Sequence, residues 1–332
     1  VTDVEFTRIT TGSIPLVIQP KNRSTRLLDW LQENRDLVET KFSESAALLF
    51  RGFVTAGEEE FAEIVKYICG KPLPYVYGST PRTHVGNNVY TATEYPAHQS
   101  IPFHNEEAYQ DDWPMRLVFF AAQPAEQGGE TPIADTLKVT QRIDKPIRDK
   151  FFSRKVRYVR NYGMGIDLSW QKTFQTESKA EVESFCRNHG IEFQWKADGC
   201  LHTAQICQAM ATHPVTGDLI WFNQAHLFHV SSLEPKTRTA LLSIYREDEL
   251  PRNAYYGDGS SIEEETLNQV RKAFSAESVA FPWQLHDVLL LDNMRVSHSR
   301  NPFKGKRRIL AAMGDLYSSV TKNVISLAAQ HS

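Results

Sequence analysis

Residues 289–315 read LLLDNMRVSHSRNPFKGKRRILAAMGD. Two apolar runs flank a polar stretch that is broken by Asn301-Pro302 and Lys304-Gly305. Runs of this length bounded by turn residues predict strands, here 286–291, 295–299 and 308–315. The midpoint between His298 and Arg308 is residue 303, inside the turn. A hairpin centred there sets His298 and Arg308 opposite each other on one face. Arg307 then faces away, although a one-residue slip of register exchanges the two arginines.

Working outward, 279–284 is predicted as a further strand. The segment from Pro74 to about Asp135 is rich in Tyr, Val, Thr and Phe punctuated by Pro and Gly, with LVFFAA at 117–122 as a core strand and a turn at 127–129. Residues 136–276 are mixed. Ser178 with Glu181 opens a helix ending near Gly190, Ser261 with Glu264 opens another, and 201–213 and 219–223 are two strands around a turn at 216–218. In the first 75 residues Ser24 is expected to cap a helix carrying Leu27, Leu28 and Leu31, and AALLFRGF (46–53) reads as a buried strand. Thr55 and Glu58 are expected to form a capping box ahead of Phe61, Ile64, Val65 and Ile68. There is no internal repeat and no long Gly/Ser linker. The expectation is one domain over 1–332, with a mainly β core at 76–135 and 278–318 and a large insertion at about 136–276.

Composition narrows the function. The chain holds 37 Lys plus Arg against 40 Asp plus Glu, a net charge of −3, which argues against a dedicated nucleic-acid binder. No apolar run approaches the ~18 residues of a membrane span. Residues 1–10 lack the basic start and apolar core of a signal peptide. The four cysteines form no C-x-x-C pair and read as free thiols, so a cytoplasmic location is expected.

The sharpest chemical feature is His104-Asn105-Glu106. On a strand, i and i+2 share a face, which sets an imidazole beside a carboxylate. A third ligand from the distant His298 completes two His and one carboxylate, a set that leaves open positions on a ferrous ion. A structural zinc site would instead close its coordination with protein ligands. A guanidinium from Arg308, or from Arg307 in the alternative register, can grip a carboxylate with two parallel hydrogen bonds, which suits the far end of 2-oxoglutarate. Against this stands the plain reading of 304–308 as a solvated basic turn.

With these residues the chain resembles the Fe(II)/2-oxoglutarate-dependent dioxygenases of the taurine dioxygenase and clavaminate synthase type. More narrowly, it resembles the branch of the syringomycin aspartyl hydroxylase. The resemblance rests on TEYPAHQSIPFHNE (93–106), GGETPIAD (128–135), HPVTGDLIWFNQAHLFH (213–229) and LLLDNMRVSHSRNPFKGKRR (289–308). It implies a double-stranded β-helix, or jelly roll, with flanking helices. It implies Fe(II) on His104, Glu106 and His298, O2 as oxidant, and 2-oxoglutarate held by Arg308 and by Thr131 after the Gly-Gly turn. Glu106 stands where related halogenases carry Ala or Gly, so hydroxylation is expected, not halogenation. Ala312 stands where sulfonate-handling members carry Arg, which disfavours taurine-like substrates.

The resemblance points to a small-molecule substrate, an amino acid or an aminoacyl unit on a peptidyl carrier protein, in natural-product biosynthesis. Desaturation, epoxidation or cyclisation would use the same cofactors. A non-catalytic metal-binding jelly roll and a zinc hydrolase are the readings of other classes. Gln99, Ser100, Arg82, Arg116 and Asn223 are the substrate-side candidates, Arg82 because it lies in a Pro-rich loop that can cover the mouth. His226 and His229, spaced i, i+3, fit a helical or irregular turn better than a second metal pair. His213, before Pro214, reads as structural, and Trp221 and Phe222 as core.

Overall fold

The computed structural model describes residues 3–9, 14–163, 165–319 and 323–325. Residues 1, 2 and 10 of the amino-terminal stretch discussed above lie outside them. The chain begins with β1 (Val4–Arg8), β2 (Leu16–Pro20) and β3 (Ala47–Phe50), interleaved with helices Leu27–Glu33, Arg35–Ser45 and Glu58–Cys69. Next come β4 (His84–Gly86), β5 (Val89–Thr91), β6 (Ile101–His104), β7 (Asp112–Gln123), β8 (Gln127–Gly128) and β9 (Ile133–Asp135). The insertion carries β10 (Val156–Tyr162), β11 (Glu192–Trp195), β12 (Leu201–Cys207), β13 (Met210–Thr212), β14 (Leu219–Trp221) and β15 (Arg252–Tyr256) among helices. The chain returns through β16 (Val288–Asp292), β17 (Val296–Arg300), β18 (Phe303–Lys304), β19 (Arg308–Ser318) and β20 (Asn323–Ile325).

Alternation along the strands builds two cores on one sheet. Nine strands pair in the order β1-β2-β3-β16-β7-β19-β5-β4, with β20 on β19. Leu48, Phe50, Val118, Phe120, Leu290, Leu310 and Ala312 face the amino-terminal helices and meet Leu27, Trp30, Phe61, Ile64 and Val65. Their neighbours Leu49, Leu117, Phe119, Leu289, Leu291, Ile309 and Ala311 face the other way, toward Ile133 and Val296 of the small sheet β6-β17-β9. A period of two in fully apolar strands is what a sheet covered on both faces requires. The two sheets sandwiching the second core form the jelly roll, and the insertion adds the sheet β11-β12-β10-β15 with its own aromatic-rich core.

Several expectations are corrected. β1, β2 and β3 belong to the main sheet, so the β core begins well before residue 76. Residues 279–284 form no strand and make only a single bridge, Val279 to Ile133. Ser24 turns back on Asn22, and the helix starts after Arg26 without a side-chain cap. The helix at 58 has Gly57 at its N-cap, and Glu60 instead accepts from the Ala56 amide. Ser261 bridges to Tyr255, so that helix begins at Glu264. Ser178 does cap Lys179–Asn188 through the Glu181 amide, and all four cysteines are free.

Candidate active site

β6 and β17 are antiparallel neighbours, and their register sets His104 opposite His298. The imidazole centroids lie 4.3 Å apart, and the Phe119 ring packs 5.2 Å from that of His298. Glu106 lies just beyond the end of β6, in a turn rather than on the strand, and its carboxylate reaches back to within 3.8 Å of His298 Nε2. One ligand atom from each of His104, Glu106 and His298 falls within 4.8 Å of the others.

A turn after β16 holds Glu106 there. The buried Asn293 side chain accepts from the Glu106 amide at 2.7 Å and donates to the Glu106 carbonyl at 2.9 Å and the Pro114 carbonyl at 2.8 Å. Asn105 Nδ2 donates to the Asn293 carbonyl at 2.6 Å, and Gln224 donates to the Asn105 carbonyl at 2.7 Å. Nothing local in the sequence marks Asn293 for this role, because the contact spans 187 positions.

Burial depresses the pKa of His104, although Glu106 opposes it, and pushes His298 well below the ordinary range, helped by His104 and Arg82. Both rings are therefore neutral at pH 7, the state that ligates metal. His104 Nδ1 lies 2.9 Å from the Pro102 carbonyl, so Nδ1–H donates there and the Nε2 lone pair is left to ligate a metal. His298 Nδ1 is buried with no protein partner. Two imidazoles and one carboxylate without cysteine suit a ferrous ion, so the residues fit the metal implied by the sequence.

The cavity beside this group is lined by Thr131, Arg307, Arg82, Phe119 and Arg300, among others. The carboxy-terminal arginines are exchanged relative to the predicted hairpin. β17 does not pair with β19 at all; β19 pairs with β7 and β5, and its register against β7 shifts between Arg308 and Ile309. That bulge turns Arg308 outward, where it pairs with Glu58 across a half-exposed surface. Arg307 turns inward: its Nε donates to the Gly129 carbonyl at 2.9 Å and its Nη2 to Thr131 Oγ1 at 3.3 Å. Trp283 Nε1 donates to the same hydroxyl at 3.1 Å. Burial and then Arg300 lower the Arg307 pKa to about 10, and among the described residues no carboxylate lies within ion-pair distance of it. A buried guanidinium without a counter-ion beside a hydroxyl is a seat for an anion. Gly129 permits this approach, since its φ is +74° and a Cβ there would meet Phe303, Ala125 and the Arg307 side chain.

The substrate-side candidates divide. Arg82 reaches the cavity, where its Nη2 donates to Glu106 Oε2 at 2.6 Å. Gln99 and Ser100 are exposed in the loop before β6, outside the cavity lining. Arg116 is excluded by parity, because it shares the face of Val118 and Phe120 and pairs with Glu39 and Asp315 behind the sheet. Asn223 is a buried turn residue that donates to the Ala209 carbonyl and accepts from the Ala225 amide. His213 holds Asp292 and the turn amides of Val215 and Thr216, so it is structural. A second group, Asp111, Asp112 and His189, is accounted for by the His189–Asp111 hydrogen bond and the stacking of His189 on Phe185.

The fold and this clustering meet an independent comparison: the profile of the taurine catabolism dioxygenase TauD, TfdA family matches residues 17–313. The chain belongs to the TauD/TfdA family. This TauD/TfdA dioxygenase is 43% identical over 287 residues to the dapdiamide synthesis protein DdaC of Enterobacter agglomerans, covering 86% of this chain and 87% of DdaC. It is 32% identical over 319 residues to a clavaminate synthase-like protein of Arabidopsis thaliana, covering 90% and 93%. The crystal structure of PvcB from Pseudomonas aeruginosa superposes with a TM-score of 0.54 at 16% identity, over 93% of this chain and 90% of PvcB. AAD-2, solved with Mn(II) and N-oxalylglycine, gives 0.51 at 14% identity over 94% and 97%. These likenesses establish the jelly-roll fold.

His226 allows a pH prediction. It lies in the short helix Ala225–Phe228, stacks on Phe274 and approaches the Phe103 carbonyl at 2.8 Å. Burial pushes its pKa down to about 4. The unfolded chain therefore takes up this proton first as pH falls. The stability associated with neutral His226 is complete above pH ~6.5 and is lost on acidification toward pH 4, by about 3 kcal/mol for a lone site. Urea titrations at pH 7 and pH 5 should show His226→Gln losing less stability over that interval than the parent.

Proposed function

We propose that the chain is an Fe(II)- and 2-oxoglutarate-dependent oxygenase that hydroxylates a C–H bond of an amino acid or a carrier-bound aminoacyl unit in natural-product biosynthesis. The observation that carries this reading is the pairing, in one cavity, of the His104–Glu106–His298 group with the buried Arg307–Thr131 anion seat. His104, Glu106 and His298 would hold the iron, which supplies oxygen activation coupled to oxidative decarboxylation of the keto acid. Arg307 binds the distal carboxylate of 2-oxoglutarate, and Thr131, oriented by Trp283, adds a hydroxyl to it. Phe119 and Ile101 give the cavity apolar walls that limit water. The chain's contribution is to hold the reacting C–H bond near the metal, because geometry selects the product in such chemistry.

The similarity to DdaC, a protein of dapdiamide synthesis, supports a biosynthetic role, as does the fold shared with PvcB, an oxygenase from an isonitrile synthetic pathway. The test is anaerobic loading with Fe(II) and 2-oxoglutarate, then exposure to O2 with free amino acids and with carrier-bound amino acids. The expected result is iron-dependent succinate formation, inhibited by N-oxalylglycine, with one substrate gaining a single oxygen atom. Turnover supported by zinc and indifferent to N-oxalylglycine would overturn the proposal.

A further inference from the structure

Arg82 has a carboxylate partner that the metal would claim. Its guanidinium side chain is 5% exposed, donates to Glu106 Oε2 at 2.6 Å, and lies over the Tyr75 ring at 4.5 Å. Its Nε is buried with no acceptor. Glu106 Oε2 is also the oxygen 3.8 Å from His298 Nε2, so a cation ligated by these residues would compete with Arg82 for the same lone pairs. The guanidinium is also firmly placed. The segment before it is pinned by Arg160 on the Gly78 carbonyl, Arg252 on the Ser79 carbonyl and Tyr109 on the Tyr77 carbonyl. Gly78 is needed there, since a Cβ would sit 2.2 Å from the Tyr75 ring on which Arg82 rests.

We propose that Arg82 is a substrate anchor kept in reserve on Glu106, which metal binding releases to take a carboxylate of the primary substrate. The inference rests on the metal assignment proposed above. A buried guanidinium whose acceptor is drawn off by a divalent cation costs free energy until another anion replaces it. Arg307 has its own partners in Gly129 and Thr131, and the two terminal nitrogens of Arg300 donate to the carbonyls of Tyr95, Pro96 and Gln99, although its Nε, like that of Arg82, is buried with no acceptor. Arg82 is therefore the cavity-lining guanidinium whose carboxylate partner the metal contests. The substrate class follows: an acid with a free carboxylate next to the reacting carbon. A molecule tethered through its only carboxyl as a thioester would not satisfy Arg82, so a carrier-bound substrate would need a second acid group.

The test measures metal affinity, not turnover. Mn(II) is titrated calorimetrically into metal-free wild type, Arg82→Met and Glu106→Gln, in chloride and in acetate at matched ionic strength. Removing the competing cation should tighten Mn(II) binding by about tenfold in Arg82→Met. Acetate should tighten Mn(II) binding in the wild type by about fivefold or more, because metal and carboxylate favour each other's binding, and by clearly less in Arg82→Met, where only the Arg307 seat remains to take it. Acetate acting only on the metal or at Arg307 would affect both proteins alike and would overturn the proposal. So would weaker Mn(II) binding in Arg82→Met, which would make Arg82 a support for Glu106 only. If Glu106→Gln bound Mn(II) as well as wild type, the metal assignment itself would fall. If Glu106→Gln loses the metal while Arg82→Met matches the wild type, only the anchor is refuted. Thermal melting of each variant confirms folding, and Arg82→Lys, which retains the charge, should keep wild-type Mn(II) affinity.

Discussion

Glu106→Gln should still fold, at a smaller cost in stability than Glu106→Ala, and lose at least about 100-fold in affinity for a divalent cation. The amide keeps the shape of the carboxylate and still accepts from Arg82, but it offers the metal no negative charge. Glu106→Ala should lose the metal and also about 3 kcal/mol of stability, because it strands the Arg82 guanidinium, whose side chain is only 5% exposed. Calorimetric Mn(II) titration reads the first effect and urea denaturation the second. Equal stability of the two variants would mean that Arg82 finds another partner when Glu106 is removed. Iron-dependent succinate formation should vanish in both, and wild-type turnover in either would refute the ligand assignment.

The second large effect separates two adjacent arginines. Arg307→Met should weaken 2-oxoglutarate binding to the Mn(II)-loaded protein by about 100-fold, the scale of a truncated buried charge pair. Arg308→Met should leave that affinity unchanged and cost under ~1 kcal/mol of stability, since its pair with Glu58 is half exposed. Calorimetry with 2-oxoglutarate in the absence of O2 measures both. The reverse pattern would mean that the bulge at Arg308 and Ile309 lies elsewhere and that the predicted hairpin parity was right.

What could be read from the residue order depended on the range of the interaction. Ser178 and Glu181 are three positions apart, and their cap forms as local chemistry dictates. The double-sided strands at 117–121 and 288–292 were readable as apolar runs. Ser24 and Thr55 have the right residue types, but the Ser24 hydroxyl turns back to Asn22 and Glu60 takes the Ala56 amide, so neither caps a helix. His104, Glu106 and His298 were legible because their side chains are chemically distinctive, even though Glu106 reaches the site from a turn and not from the strand. The choice between Arg307 and Arg308 was not legible, since one extra residue in β19 decides it and no side-chain type announces a bulge. Asn293, Trp283 and Tyr75 were invisible for a different reason. Each acts through a neighbour that only the closed fold supplies.

Arg300 sits two residues beyond His298 on the same strand, and its guanidinium gathers three carbonyls of the segment 95–99. That segment joins Thr93 to Ile101, both on the cavity wall. The doorway and the metal seat thus hang from one short ribbon, so a shift that loosens the latch is felt at the imidazole. The Arg82 loop is tied to the same ribbon, since the Glu94 amide donates to the Pro81 carbonyl and the Thr80 hydroxyl meets that of Thr93, so widening this entrance for a bulkier guest would disturb both arginines at once.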